Sequence, residues 1–283
     1  MSNNPVLISG ASSGIGKACV EYFKAQGIPV IASVKSHEEK HIWENQSGIQ
    51  VINCDVTSIS DLEHLKIWLK EQKITLSGLF NIAGVSCWGP ILDIHDQSFN
   101  QVWNVNVVGL KNLTKVCLPH LSPTGIIINI GSTAGKVAIP FMGAYVLSKS
   151  SVKFFTDLLR RELKFTKHHS KIRVVLIEPG SINTPIWDKA VKGEYFDKTT
   201  ELGRIIYPLG QQTIKQELKK ATKPEVVAKK IFAIFNSRSP SRYYIIGQGS
   251  LFVTILSKLP SALVDQLMVI IKWGINYQLK NLK

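Results

Sequence analysis

A tyrosine and a lysine stand four residues apart in Tyr145-Val146-Leu147-Ser148-Lys149. On a helix, positions i and i+4 share one face, a turn apart. A free phenol titrates at about pH 10 and is a poor acid–base group near neutrality. A fixed cation beside it favours the phenolate and lowers that value toward the working range. Taken alone, the pair is equally a packed tyrosine beside a solvated lysine, so its meaning depends on what else converges on it. Ser132 lies thirteen residues earlier, in Gly131-Ser132-Thr133-Ala134-Gly135. No His or Asp neighbours it in sequence, so its hydroxyl is expected to hydrogen-bond rather than to attack as a nucleophile.

A second set of residues is built for phosphate. Gly10-Ala11-Ser12-Ser13-Gly14-Ile15-Gly16 follows the apolar run Val6-Leu7-Ile8 and precedes a helical pattern. Glycines between a strand and a helix permit a tight turn and close approach of backbone to phosphate, and the helix start offers unpaired N–H groups. The spacing is G-x-x-x-G-x-G, which differs from G-x-G-x-x-G. The next strand would end in an acid if it held the adenosine ribose of NAD. Here it reads Ala32-Ser33-Val34-Lys35, with no acid in that run, and Lys35 would attract a 2′-phosphate. NADP(H) is therefore expected in preference to NAD(H). Asp55 follows the third strand, where a carboxylate can accept from the adenine amino group. Asn81-Ile82-Ala83-Gly84 closes the fourth, with small residues that let a cofactor lie against backbone.

These residues need a frame that brings strand ends together. Strand and helix patterns alternate along the 283 residues. Apolar, β-branched strands are predicted at 6–8, 29–34, 50–54, 79–82, 125–130, 172–177 and 243–246. Helices are predicted at 15–26, 61–71, 99–118, 144–166 and 224–235. Continuously apolar strands separated by helices indicate a parallel sheet covered on both faces. The expected fold is α/β, a doubly wound parallel sheet (Rossmann fold), with its ligand at the carboxyl ends of the strands. Residues 1–249 form one domain in this reading, with 185–222 polar and mixed and without strand signals, and 250–283 form an apolar extension. The 45% hydrophobic content argues against disorder. No signal peptide and no membrane span is read. The four cysteines are widely spaced and the seven histidines show no ligand spacing, so no metal is expected. The net charge of +14 is spread along the chain, without an aromatic or motif pattern for nucleic acid.

At this point the sequence resembles the short-chain dehydrogenase/reductase family. The resemblance rests on Gly10-x-x-x-Gly14-x-Gly16, Asp55, Asn81-x-Ala83-Gly84, Asn106, Ser132, Tyr145-x-x-x-Lys149, and Pro179-Gly180 followed by Thr184, in the family's order from residue 5 to about 184. Ile82 departs from a frequent asparagine. The resemblance implies hydride transfer between a nicotinamide and an alcohol or carbonyl carbon. Tyr145 would exchange the proton, Lys149 would tune it and hold the nicotinamide ribose, Ser132 would orient the substrate oxygen, and Asn106 would hold a water relaying protons. It further implies cofactor contacts from Ser12, Ser13 and Ile15 in the first turn, from Val56 beside Asp55, and from Pro179, Gly180, Ile182 and Thr184 at the nicotinamide.

Substrate expectations are coarser. The resemblance implies that residues 185–222 form a substrate lid; Trp88, Phe141 and Trp187 are candidate pocket walls, together with other apolar residues of that lid. Lys136 and Arg204 are the candidate cations for an acidic substrate. A hydrophobic alcohol or ketone of steroid, retinoid or lipid type is favoured. Val30–Lys35 and the long C-terminus resemble the 17β-hydroxysteroid and retinol dehydrogenase branch. The alternatives are a carrier-bound 3-oxoacyl reductase and a catalytically idle nucleotide-binding scaffold. The resemblance implies a homodimer or homotetramer through helices 99–118 and 145–166. A cytoplasmic protein is expected, and the apolar tail either packs on the body or touches a membrane surface.

Overall fold

The computed structural model describes residues 4–267. Seven strands form one sheet, all parallel, in spatial order β3-β2-β1-β4-β5-β6-β7. They are β1 (Val6–Ser9), β2 (Val30–Val34), β3 (Ile49–Asn53), β4 (Leu76–Asn81), β5 (Leu121–Ile130), β6 (Arg173–Pro179) and β7 (Tyr243–Ile246). Strand order reverses direction at β1, between β2 and β4. The carboxyl ends of β1 and β4 therefore border an open crevice, the switch point at which such sheets bind ligands.

Alternation along each strand builds two cores. Val6 and Ile8 of β1, with Val30, Ala32 and Val34 of β2, face one side. There they meet α1 (Gly14–Ala25) and α8 (Pro224–Asn236). Phe23 of α1 sits edge-to-face with Phe80, Phe232 and Phe235 at centroid distances of 5.1, 5.2 and 5.5 Å. Leu7, Ile31, Leu79 and Ile127 face the other side, against α2 (Ile59–Glu71) and α4 (Leu110–Cys117). α5 (Gly143–Glu162) lies on this second face as well, where Val152 packs with Leu110 and Leu176. Each such fully buried side chain contributes about 1.5–3 kcal/mol.

Between the sheet and its helices a polar ladder crosses the interior. Asn81 Nδ2 donates to Thr114 Oγ1 (3.0 Å) and to Asn129 Oδ1 (2.8 Å), and Asn129 Nδ2 donates to Thr156 Oγ1 (2.9 Å). It ties β4 and β5 to α4 and α5 in one register, since a buried amide left unpaired costs about 1–3 kcal/mol.

Several elements differ from the sequence expectation. The single helix expected at 99–118 is α3 (Asp96–Trp103), a π-helical turn over Asn104–Gly109, and α4. β5 begins at Leu121 rather than Gly125. The lid, read only as polar and mixed, is largely helical: α6 (Pro185–Lys192), started by a proline at its first position, and α7 (Glu201–Lys220), capped by the Thr200 hydroxyl. The extension opens with α9 (Ser250–Leu256). Residues 268–283, the rest of the expected apolar tail, lie outside the described residues.

Candidate active site

The turn after β1 is shaped by contacts that tolerate no side chain. Gly10 has φ +66° and lies so close to the end of β4 that a Cβ on it would sit 2.8 Å from Ala83 Cα. A Cβ on Gly16 would collide with the Gly10 carbonyl oxygen. Ser13 starts α1 but makes no side-chain capping bond, so the helix start keeps donors for a ligand. Two residues that the motif did not flag hold this turn in place. Trp43 Nε1 donates to the Ala11 carbonyl (3.0 Å), and Ser9 Oγ accepts from Ile82 N (3.0 Å) and Ala83 N (3.1 Å).

From here a groove of about 370 Å³ runs across the strand ends. Its walls include Gly10, Ser12, Ser13, Gly14, Ile15, Gly16, Lys35, Asp55, Val56, Ala83, Gly84, Ser132, Tyr145, Lys149, Pro179, Gly180, Ile182 and Thr184. The groove thus brings together every residue expected to touch cofactor except Asn81, whose side chain is spent in the interior ladder. The glycine cradle, the open helix start and a groove reaching from Lys35 to Tyr145 fit an extended dinucleotide.

The β2 end differs from the acid-free reading. Glu39, on the turn after the strand, brings its carboxylate back to accept from Lys35 N (3.0 Å), and it also lines the groove. Lys35 Nζ, well exposed, lies 3.6 Å from Asp55 Oδ2. Asp55 Oδ1 accepts from Thr57 N (2.9 Å) and Thr57 Oγ1 (2.7 Å). A cation and an acid therefore share the place where an adenosine ribose would lie. Glu39 reaches back only four residues, but it does so from a 3-10 turn over His37–Ile42 that follows the strand rather than from the strand end itself.

At the other end α5 carries Tyr145 and Lys149 on one buried face. Lys149 Nζ donates to the Ile130 carbonyl at the end of β5 (2.9 Å) and lies 5.7 Å from the Tyr145 ring centroid. A Cβ on Gly84 would come within 3.5 Å of Lys149 Nζ, so the end of β4 closes over the ammonium. Burial lowers the Lys149 ammonium to about 8. Burial also pushes the Tyr145 phenol above its ordinary value, against a smaller lowering by a hydrogen bond with Ser132. The phenol is thus raised rather than lowered as the Lys149 charge alone would have it, because desolvation outweighs the opposing effects. Ser132 Oγ accepts from Ala134 N (3.1 Å), capping the short turn Thr133–Lys136, and donates to the Pro179 carbonyl (3.4 Å).

Asn106 sits in the π-helical turn. Its Oδ1 accepts from Val85 N, and its Nδ2 donates to the Val85 carbonyl and to Ser148 Oγ, each at 2.9 Å. The side chain therefore locks the loop after β4 onto α5. Ser148, invisible to the motif, completes this link by donating to the Tyr145 carbonyl (2.8 Å).

The substrate side is apolar. Trp187 packs on Tyr145 with centroids 6.3 Å apart, and Ile186, Tyr195, Val85 and Val105 line the same groove. Trp88 and Phe141 pack on each other at 6.1 Å, next to Met142 and Tyr145 but outside the groove wall. Lys136 is held by Glu178 at 2.7 Å and Arg204 Nε donates to the Thr199 carbonyl (2.8 Å), so neither of the two cations singled out from the sequence faces the groove. Lys189, overlooked in sequence, is a wall residue at its mouth. Among the described residues no cluster of three His, Cys, Asp or Glu could hold a metal ion.

Residues 4–194 match the family model described as short chain dehydrogenase. The chain is 33% identical over 261 residues to 3-amino-tetrahydro-pyrrolizinone reductase of Xenorhabdus hominickii, covering 88% of this chain and 89% of that one. It is 33% identical over 273 residues to NADPH-dependent 3-dehydrocapnine reductase of Ornithobacterium rhinotracheale, covering 92% and 94%. With 17-beta-hydroxysteroid dehydrogenase type 6 of Rattus norvegicus it shares 30% over 282 residues, covering 94% and 87%. A serine dehydrogenase in its closed form with NADP+ superposes with a TM-score of 0.74 at 23% identity, over 86% of this chain and 94% of that one, which is a likeness of fold.

The buried lysine has a measurable signature. Between about 8 and its ordinary 10.5, the unfolded chain holds a proton that the folded protein has shed. Unfolding free energy then rises with pH across that window, and the group contributes no slope below it. Urea denaturation of the wild type relative to Lys149→Met should show the difference growing by roughly 3 kcal/mol between those pH values. A difference independent of pH would mean that the ammonium is not depressed.

Proposed function

The chain belongs to the short-chain dehydrogenase family, an NAD(P)-dependent oxidoreductase interconverting alcohol and carbonyl groups, and on that premise we propose that it acts on hydrophobic substrates of steroid, retinoid or lipid type with NADP(H) as the preferred cofactor. The observation that carries the reading is the convergence of Tyr145, Lys149 and Ser132 at the apolar end of one groove whose other end is the glycine cradle. Gly10, Ser12, Ser13 and Gly16 would seat the dinucleotide; Pro179, Gly180, Ile182 and Thr184 would border its nicotinamide. When bound, that cofactor supplies or accepts the hydride.

The protein's part is proton transfer and polarisation. Tyr145 gives a proton to the substrate oxygen in reduction and takes it in oxidation. Ser132 donates to the same oxygen as its charge develops. Lys149 keeps a cation beside the phenol at the β5 end, and Asn106 and Ser148 hold the two helices that frame them. Trp187, Ile186 and Tyr195 exclude water and suit an apolar body. The NADP(H) preference is supported by the Lys35 ammonium; Glu39 beside it leaves room for NAD(H) use.

We place this activity in a homodimer or homotetramer. Leu147, Phe154 and Leu158 leave an apolar stripe exposed on α5, a surface suited to a second copy. Residues 1–249 act as the catalytic domain, and the extension from residue 250 adds a peripheral membrane contact to an otherwise cytoplasmic enzyme. In support, Leu251, Phe252 and Ile255 of α9 are 63%, 69% and 55% exposed, an apolar face of that helix left open to a membrane surface. Among the described residues no helix is long and apolar enough to cross a membrane.

Tyr145→Phe should lose at least about a hundredfold in NADPH-dependent reduction of hydrophobic ketones while still binding NADPH; activity within tenfold of wild type would sink the assignment. Paired fluorescence titrations should find NADPH bound more tightly than NADH, with Lys35→Ala removing the difference. Tighter NADH binding by the wild type would overturn the cofactor preference. In liposome flotation the wild type should rise with the vesicles and Leu251→Glu/Phe252→Glu should stay behind. Equal partitioning of the two would remove the membrane contact.

A further inference from the structure

Directly behind Ser132 lies an ion pair that the chemistry above does not use. Ser132 caps the turn Thr133–Lys136, and Lys136 is its last residue. Lys136 Nζ lies 2.7 Å from Glu178 Oε2, close enough for an ion pair although off the line of a hydrogen bond. Glu178 is 2% exposed and its partner side chain 18%, so this pair is largely withdrawn from water. Withdrawing two charges costs several kcal/mol each, and an apolar pair of similar volume is often no less stable. Stability alone is therefore a poor reason for charges at this spot.

The pair's place in the chain suggests another. Glu178 immediately precedes Pro179, whose carbonyl accepts from both Ser132 Oγ (3.4 Å) and Thr133 Oγ1 (3.3 Å). Gly131 N donates to the Ile177 carbonyl (2.8 Å). The serine turn is thus joined to β6 before, at and after Ser132, and Lys136–Glu178 is the last of these joints. On its other side the turn is joined to the helix of the acid–base pair. Ser150 Oγ donates to the Gly135 carbonyl (2.6 Å), and a Cβ on Gly135 would lie 2.8 Å from the Lys149 carbonyl carbon. α9 packs over the turn from outside. Lys153 and Asp157 of α5 are the other charges that act on Glu178.

We propose that Lys136 and Glu178 are positioning residues that set the Ser132 hydroxyl against Tyr145, and so fix how strongly Ser132 polarises the phenol and the substrate oxygen. The inference rests on the reading of Tyr145 as the acid–base group. Its first test is independent of turnover.

The probe is the Tyr145 13Cζ resonance in protein labelled on its tyrosines, assigned by its loss in Tyr145→Phe. Ser132→Ala should move it, because the hydrogen bond is gone. Lys136→Met and Glu178→Gln should each move it in the same direction, the double variant no further than either single one, and Lys136→Arg should leave it in place. The proposal is overturned if both pair variants keep the wild-type resonance, or if Ser132→Ala does not move it. Glu178→Gln is isosteric and guards against a Lys136→Met that fails to fold. In NADPH-dependent reduction of 2-decanone, the pair variants should lose roughly tenfold in kcat with little change in KM or in NADPH affinity. A loss confined to KM or to NADPH affinity would overturn it as well. A wild type that reduces no ketone would refute the proposed function, while the resonance would still decide the role of the pair.

Discussion

A lysine ammonium is held inside the protein by one carbonyl, that of Ile130. The rest of the site follows from keeping it there. A buried cation is tolerated when its donors are met and its charge has a task. The parallel sheet provides the first condition, because the end of β5 presents the Ile130 carbonyl to Lys149 of α5. The second is met by a phenol one helical turn away. Burial acts on both groups in opposite senses, lowering the ammonium and raising the phenol. Each charged form is thereby disfavoured, though the ammonium stays charged at neutral pH.

Around that pair the fold works by crossing points at which two backbones nearly touch. Gly10 meets Ala83 where β1 and β4 separate, and Gly16 meets Gly10 where the helix doubles back. Below, the Asn81–Asn129–Thr156 ladder ties β4 to β5 and to α5. Rigidity under the groove contrasts with the cover above it. Tyr195 and Asp197 join the lid to the loop after β4 through bonds from His95 N and to the Asp93 carbonyl, and Thr200 Oγ1 donates to Asp93 Oδ2 (2.6 Å). These surface bonds between loops are easier to open than a sheet.

Much of this was legible in the residues. Continuous apolar strands announced the parallel sheet, and the order of glycines, Ser132, Tyr145 and Lys149 announced a groove. What escaped has two causes. Trp43 holds the Ala11 carbonyl from 32 positions away and Ser9 serves β4 from β1, and no local period encodes such pairings. Glu39 is only four residues from Lys35, but the 3-10 turn that brings its carboxylate back to the groove has no strand or helix period to announce it. Asn81 fell the other way: its type and place suited a cofactor contact, yet the pleat turned its side chain into the interior. Lys136 looked like a free cation because its counter-charge lies 42 residues on. The lid's helices were obscured by Pro208, which sits inside α7.

α9 packs on the turn that carries Ser132, and Gly180 backs onto Gln248 and Ser250. During synthesis every motif residue has emerged by Thr184, but the wall behind the serine is completed only when residues 243–256 arrive to add β7 and α9. Domains emerge from the N-terminus at about 5–20 residues per second, so a nascent chain would spend several seconds with its chemistry translated and its serine turn unsupported. The order of translation thereby separates the making of the reactive groups from the completion of the wall behind them, which waits for β7 and α9.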